Sequence, residues 1–208
     1  FLLFCTTKRI AEKLISENSK ESGLSILAAV IGSLAYAFSD SFWFSAVEGE
    51  VYAMSSFFTA LVFWAIIRWD SETETNPKAN RWLIFIAFLI GLSIGVHMLS
   101  LLVIPAIVLI YYFKKFPFSF GGFIIANITA VLLLGFIYNI IIPQFVNLAG
   151  KFEIFFVNEL SLPFNTGTIL FFGITIGIII AALVLSKKHN QTHINTTILA
   201  FTFLLIGY

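Results

Sequence analysis

Apolar residues run almost unbroken over about 24–39, 51–69, 82–113, 118–143 and 166–186. A helix needs about 20 such residues to cross the hydrocarbon core of a bilayer, so these runs constrain the fold before any motif is considered. Hydrophobic residues make up 59% of the chain and charged ones 11%, against about a quarter charged in soluble domains. A soluble chain of 208 residues could not hide that much apolar surface in one core. The expected fold class is therefore all-α, a polytopic transmembrane helical bundle.

The charges then orient the bundle. Eleven of the twelve lysines and arginines sort to one side when the chain is threaded through a membrane. Lys8, Arg9, Lys13 and Lys20 share one connection, and Arg68, Lys78 and Arg81 share the next on that side. Lys114 and Lys115 follow, then Lys187 and Lys188; Lys151 alone is left over. Basic connections stay cytoplasmic, so Asp40, Glu48, Glu50, Glu153 and Glu159 collect on the outer face.

This threading predicts full spans at about 24–39, 51–69, 82–96, 98–113, 118–143 and 166–186, with outer segments at 40–50 and 144–165. The run 82–113 is too long for one span at about 1.5 Å per residue. Basic residues flank both its ends, which predicts a hairpin turning near His97. Residues 8–22 read as a short cytoplasmic helix, and 42–51 as a helix lying at the outer interface. Ser39-Asp40-Ser41 is a helix-start signal, with Asp40 the expected N-cap. A second interfacial helix is expected within 144–165, because Asn147, Lys151 and Asn158 share a helical face by spacing. Residues 1–7 and 195–208 read as truncated spans, and the chain as one part of a larger transmembrane domain.

Several function classes fall away. The basic residues form no patch, and the net charge of +1 gives no footprint for nucleic acid. The single Cys5 excludes an internal disulfide and a cysteine metal site. No P-loop, GxGxxG, HExxH or GxSxG motif is present.

Two places hold residues suited to chemistry. In FWFSAVEGEVY the carboxylates Glu48 and Glu50 flank a glycine at the mouth of a span. In a continuous helix they diverge, and Glu48 shares a face with Tyr52. In an extended or glycine-kinked segment both carboxylates share a face and can hold a divalent cation through oxygen. One of them can otherwise take a hydroxyl proton as a general base. The competing reading is that both are solvated at the membrane surface. His97, in GLSIGVHMLSLLVIP, can meet an anionic phosphate or bond a backbone carbonyl as a packed histidine. Gly91 and Gly95 before it form a GxxxG pair, which admits a close neighbouring helix. Lys151 is the lone outer cation, for a lipid phosphate or for headgroups in general.

The runs SDSFWFSAVEGEVYAMSSFFTALVFWAIIRW and NRWLIFIAFLIGLSIGVHMLSLLVIPAIVLIYY together resemble a family of bacterial multi-pass membrane proteins of formerly unknown function. AGKFEIFFVNELSLPFNTG is similar to the same family, and the resemblance covers about residues 1–170. That family is related to the transmembrane protein O-mannosyltransferases and is grouped with the C-type glycosyltransferases. The resemblance implies many spans, an outer active site, a polyprenyl-phosphate-linked sugar as donor and a protein or glycan acceptor. It implies residence in the bacterial inner membrane. It carries over Glu48 and Glu50 as candidate catalytic acids and metal ligands, and Trp43, Tyr52 and His97 as candidate substrate-binding residues. Lys151 joins the binding set as the lone outer cation. The family's acidic first-loop motif and its His-Pro-Pro are absent here, which places the principal catalytic acid upstream of Phe1. The runner-up function is a transporter or flippase of a lipid-linked or small polar substrate, with Glu48, Glu50 and His97 as coupling groups; a non-catalytic scaffold is the third.

Overall fold

A computed structural model describes residues 1–15, 21–49 and 51–208. Lys20 of the charge sorting and Glu50 of the candidate site lie outside the described residues. The described chain is helical throughout, a polytopic all-α bundle. Four helices are long and apolar enough to cross a membrane, or five if one bent pair is a single span. In a soluble fold such helices would bury one face. Here only 6% of the apolar 18-residue window of the helix Thr166–Lys188 is buried, so its apolar surface is built for lipid or for other helices.

The first helix, α1 (Leu2–Leu14), joins what the sequence divides. Residues 1–7 and 8–14 form one continuous helix, because nothing between Phe4 and Lys8 breaks the backbone hydrogen bonding. It lies along α2 (Glu21–Ala37) and α4 (Tyr52–Glu72), with the short α3 (Asp40–Val47) between those two in sequence. Helix α4 is the centre of the bundle. Val62, Ala65, Ile66 and Trp69, spaced to share one face, are each at most 2% exposed. Against them pack α5 (Arg81–Ile94) and α6 (Ile104–Lys115), joined by a 3-10 helix at Met98–Val103.

Residues 81–115 fold back on themselves. Trp82 donates its indole N–H to Glu72 at 3.1 Å, and Lys114 reaches Glu74 at 2.7 Å, so both ends of this stretch meet the same end of α4. The backbone is extended at His97 (φ −161°, ψ 128°), which breaks the helix there.

Beyond Lys115 the structure departs from the expected division at Pro143. Helix α7 (Phe120–Phe136), a π turn at Ile137–Ile141, α8 (Ile142–Ile154) and a second π turn at Phe155–Glu159 form one helix of 40 residues. The expected separate outer segment is thus, as far as Glu159, a direct continuation of the preceding span. A proline inside an α-helix removes one hydrogen bond and clashes with the preceding turn. Here Pro143 enters just after the π turn, at the first turn of α8, where the wider hydrogen-bonding pattern accommodates it. At about 1.5 Å per residue this helix measures roughly 60 Å, twice a hydrocarbon core. Asn147, Lys151 and Asn158 are all exposed on its distal half. Helix α9 (Thr166–Lys188) returns along α8, and α10 (Thr192–Gly207) runs beside α5.

The contact between α5 and α10 is made by backbone. A Cβ at Gly91 would sit 2.2 Å from the Leu204 carbonyl oxygen, and one at Gly207 would sit 2.4 Å from that of Phe88. Small residues of this kind let helices approach without a hydrophobic driving force. Gly91 does what a GxxxG glycine does, but its opposite number is Gly207. Gly95 meets only the carbonyl of Leu92, in its own turn.

Candidate functional site

The N-cap of helix α3 is Ser39, not the expected Asp40. Ser39 has an extended backbone, and its hydroxyl accepts from the Phe42 N–H at 3.3 Å while donating to the Tyr36 carbonyl at 2.8 Å. One hydroxyl therefore closes α2 and opens α3, and the two helices bend by 52°. Such a cap contributes about 1 kcal/mol. Asp40 falls in the first turn, where a negative charge favours the helix N-terminus. Trp43 is about half exposed on α3, which ends at Glu48.

Glu48 has an extended backbone (φ −65°, ψ 136°), and α4 starts afresh at Tyr52. The continuous helix that would place Glu48 and Tyr52 on one face is therefore absent. A Cβ at Gly49 would meet nothing within 4 Å, so this bend lies in open space. Glu48 is exposed.

Tyr52 and His97, 45 residues apart, come together. Their ring centroids are 5.5 Å apart with the planes at 42°. One turn deeper, Ser55 and Ser100 share a buried hydrogen bond at 2.9 Å between their hydroxyls. Sequence reasoning missed this serine pair. The available signal was spacing: each serine lies three residues after its aromatic partner, on α4 and on the 3-10 helix, so the pairs stack as successive rungs.

His97 also departs from the backbone-carbonyl bond considered for it. Its Nδ1 accepts from the Leu99 N–H at 3.0 Å. A nitrogen that accepts carries no proton, so in the neutral ring the proton is on Nε2. Nε2 is thereby left as a donor on a ring held by its own helix start and by Tyr52.

Lys151 stands apart from this cluster. It is exposed on α8, whose main packing partner is α9. Its neighbour Glu153 caps α9, accepting from the N–H of Thr168 at 2.9 Å, from its hydroxyl at 3.0 Å, and from the N–H of Asn165. Asn165 sits in the left-handed region (φ 70°), which turns the chain into α9. Among the described residues no three His, Cys, Asp or Glu side chains gather to hold a metal ion.

The opposite end of α4 carries the basic residues. Asp70, almost fully buried, pairs with Lys13 of α1 and with Lys114 of α6, the latter at 3.6 Å. Glu72 pairs with Arg68 at 3.0 Å and Arg81 at 3.6 Å. The Lys114 ammonium, by donating a hydrogen bond and by its charge, holds the Glu74 carboxyl below its ordinary value. These pairs tie α1, α4, α5 and α6 at one level, with the Tyr52–His97 cluster about 30 Å away along α4 at 1.5 Å per residue.

Long apolar helices with little burial, closed at one end by ion pairs and carrying acids and aromatics at the other, define a multi-pass integral membrane protein. A family model described as "Protein O-mannosyl-transferase TMEM260 N-terminal domain" matches residues 1–119, more than half of the chain. The chain belongs to that family, and so to a glycosyltransferase family of the membrane. No curated protein and no solved structure matches it significantly.

Proposed function

We propose that the protein transfers a sugar from a polyprenyl-phosphate donor to a hydroxyl of a protein or glycan acceptor, on the outer face of the bacterial inner membrane. The observation that carries this reading is the meeting of Tyr52 with His97. It joins the FWFSAVEGEVYA and GLSIGVH motifs, far apart in sequence, at the end of α4 away from the basic cluster. Positive charge stays cytoplasmic, so that end is the outer one.

The chemistry required is simple to balance. The acceptor oxygen forms a bond to the anomeric carbon, and the bond from that carbon to the phosphate oxygen breaks. The polyprenyl phosphate leaves with the electron pair. A carboxylate, Glu48 or Glu50, takes the acceptor's proton. The His97 Nε2–H donates to the phosphate as its charge develops. Trp43 and Tyr52 offer aromatic faces to the sugar and the lipid. Lys151 serves as a headgroup contact on the distal part of the long helix. Glu48 and Glu50 together could also hold a divalent cation through their carboxylate oxygens, which would supply charge stabilisation to the leaving phosphate.

The test is sugar transfer from a polyprenyl-phosphate donor by the protein at its full natural length, in membranes. At least one of Glu48→Gln and Glu50→Gln should lose about 10²-fold in rate, the low end for a positioned acid–base group. Rates within a few-fold of the parent in both would return the two acids to plain solvation. Sidedness is tested separately, on a Cys5→Ser background. A cysteine placed at Asn76 should be protected from impermeant maleimide in intact cells, and labelling from outside would invert the site.

A further inference from the structure

A cavity of about 510 Å³ lies between α5, α6, the α7 π turn and α10. Its polar residues sit at one end: Asn80, Lys115, His193, Thr196 and Thr197. Below them the walls are apolar, down to Ile90, Ile104, Ile141 and Leu204. From Asn80 to Ile90 along α5 the depth is about 15 Å at 1.5 Å per residue. That is half of a hydrocarbon core of roughly 30 Å, or one leaflet.

The deep end is closed. There α5 and α10 touch through Gly91 and Gly207, and the Tyr208 hydroxyl donates to the Ile142 carbonyl at 2.8 Å, tying α10 to α8. A hydrocarbon chain of one leaflet's length ends there naturally. At the mouth, Lys115 makes no ion pair among the described residues; its ammonium lies 5.9 Å from the Trp69 ring centroid. His193 offers a second polar group beside it. Cation above, apolar slot below, and a depth of one leaflet describe an anionic lipid.

We propose that this cavity binds one hydrocarbon chain of a membrane lipid whose anionic phosphate headgroup sits at Lys115 and His193. The site faces the leaflet at the basic end of the bundle. It is thus distinct from the Tyr52–His97 end, and it does not depend on the transfer reaction proposed above.

The experiment uses the natural-length protein in nanodiscs, with phosphatidylglycerol or phosphatidylcholine carrying a diazirine in the acyl chain. After photolysis, labelled positions are read by peptide mass spectrometry. Phosphatidylglycerol should label 86–90 and 200–204, and phosphatidylcholine should label them several-fold less. Lys115→Gln should cut the label about five-fold, the contribution of one lysine near an anionic lipid surface, and Lys115→Arg should keep it. Ala200→Phe, which fills the slot, should reduce it at least about ten-fold, the loss expected if as few as about two methylenes of the chain are displaced. Labelling of the exposed Ile176 on α9 should stay constant in every variant and so report folding. Equal labelling by both lipids, indifference to Lys115→Gln, or unlabelled cavity walls beside a labelled Ile176 would each overturn the proposal.

Discussion

Replacing Gly91 by Ala should destabilise the bundle, although alanine is the better helix former. The added Cβ would stand 2.2 Å from the Leu204 carbonyl oxygen and 3.0 Å from both the Gly207 Cα and the Tyr208 nitrogen. Ordinary contact needs about 3.5–4.0 Å between carbons, so α5 and α10 must separate by roughly 1 Å. The obstructing atoms are backbone and cannot swing aside as a flexible side chain can. Overpacking of this kind costs about 1–3 kcal/mol, and a backbone obstacle places it near 3. The gain in helix propensity offsets about 1 kcal/mol, which leaves a net loss of about 2 kcal/mol. Gly173, in the interior of α9, has nothing within 4 Å of its would-be Cβ. Gly173→Ala should therefore stabilise by up to about 1 kcal/mol. The assay is reversible unfolding in mixed micelles titrated with dodecyl sulfate, followed by tryptophan fluorescence. The two substitutions should move the midpoint in opposite directions. If Gly91→Ala were as stable as Gly173→Ala, the close approach of α5 and α10 would be refuted. Gly91→Ala combined with Gly207→Ala should cost less than the sum of the two, because helices already separated by one methyl accept the second.

Asp70→Asn keeps the shape of a nearly buried side chain but leaves Lys13 and Lys114 without their shared carboxylate. Breaking a buried pair costs about 3–5 kcal/mol. Lys13 is 47% exposed and regains water, so the expected loss is about 1–2 kcal/mol, read in the same unfolding assay. Glu74 supplies a pH dependence. Its folded pKa is depressed below the ordinary glutamate value by Lys114, so its stabilising contribution is present above that ordinary value and is lost as the pH falls through the folded one. Opening of 73–80, read as hydrogen exchange divided by the intrinsic amide rate at each pH, should be flat from neutral pH to about 5 and should rise below it. Glu74→Gln should remove that rise relative to the parent.

The hydropathy of the chain by itself determined that it is a bundle of membrane helices, since no other structure accommodates runs such as 166–186. Length against bilayer thickness also made the fold-back of 81–115 legible, because one helix of that length would carry Arg81 and Lys114 to opposite ends. Local chemistry was readable where it is local: a helix begins at Ser39-Asp40, though which of the two caps it depends on a backbone angle. The tertiary structure decided the rest. Tyr52 meets His97 and Ser55 meets Ser100 only because α4 lies beside the 3-10 helix. Gly91 finds Gly207, and Glu153 is committed to capping α9. The π turn before Pro143 lets one helix continue where hydropathy and a proline suggest an end. The physical reason is common to these cases. In a soluble helix the apolar stripe announces which face is buried. In lipid a helix is apolar all round, and its packing face is chosen by close contact, small residues and hydrogen bonds, which depend on the neighbouring helix and leave no period in the sequence.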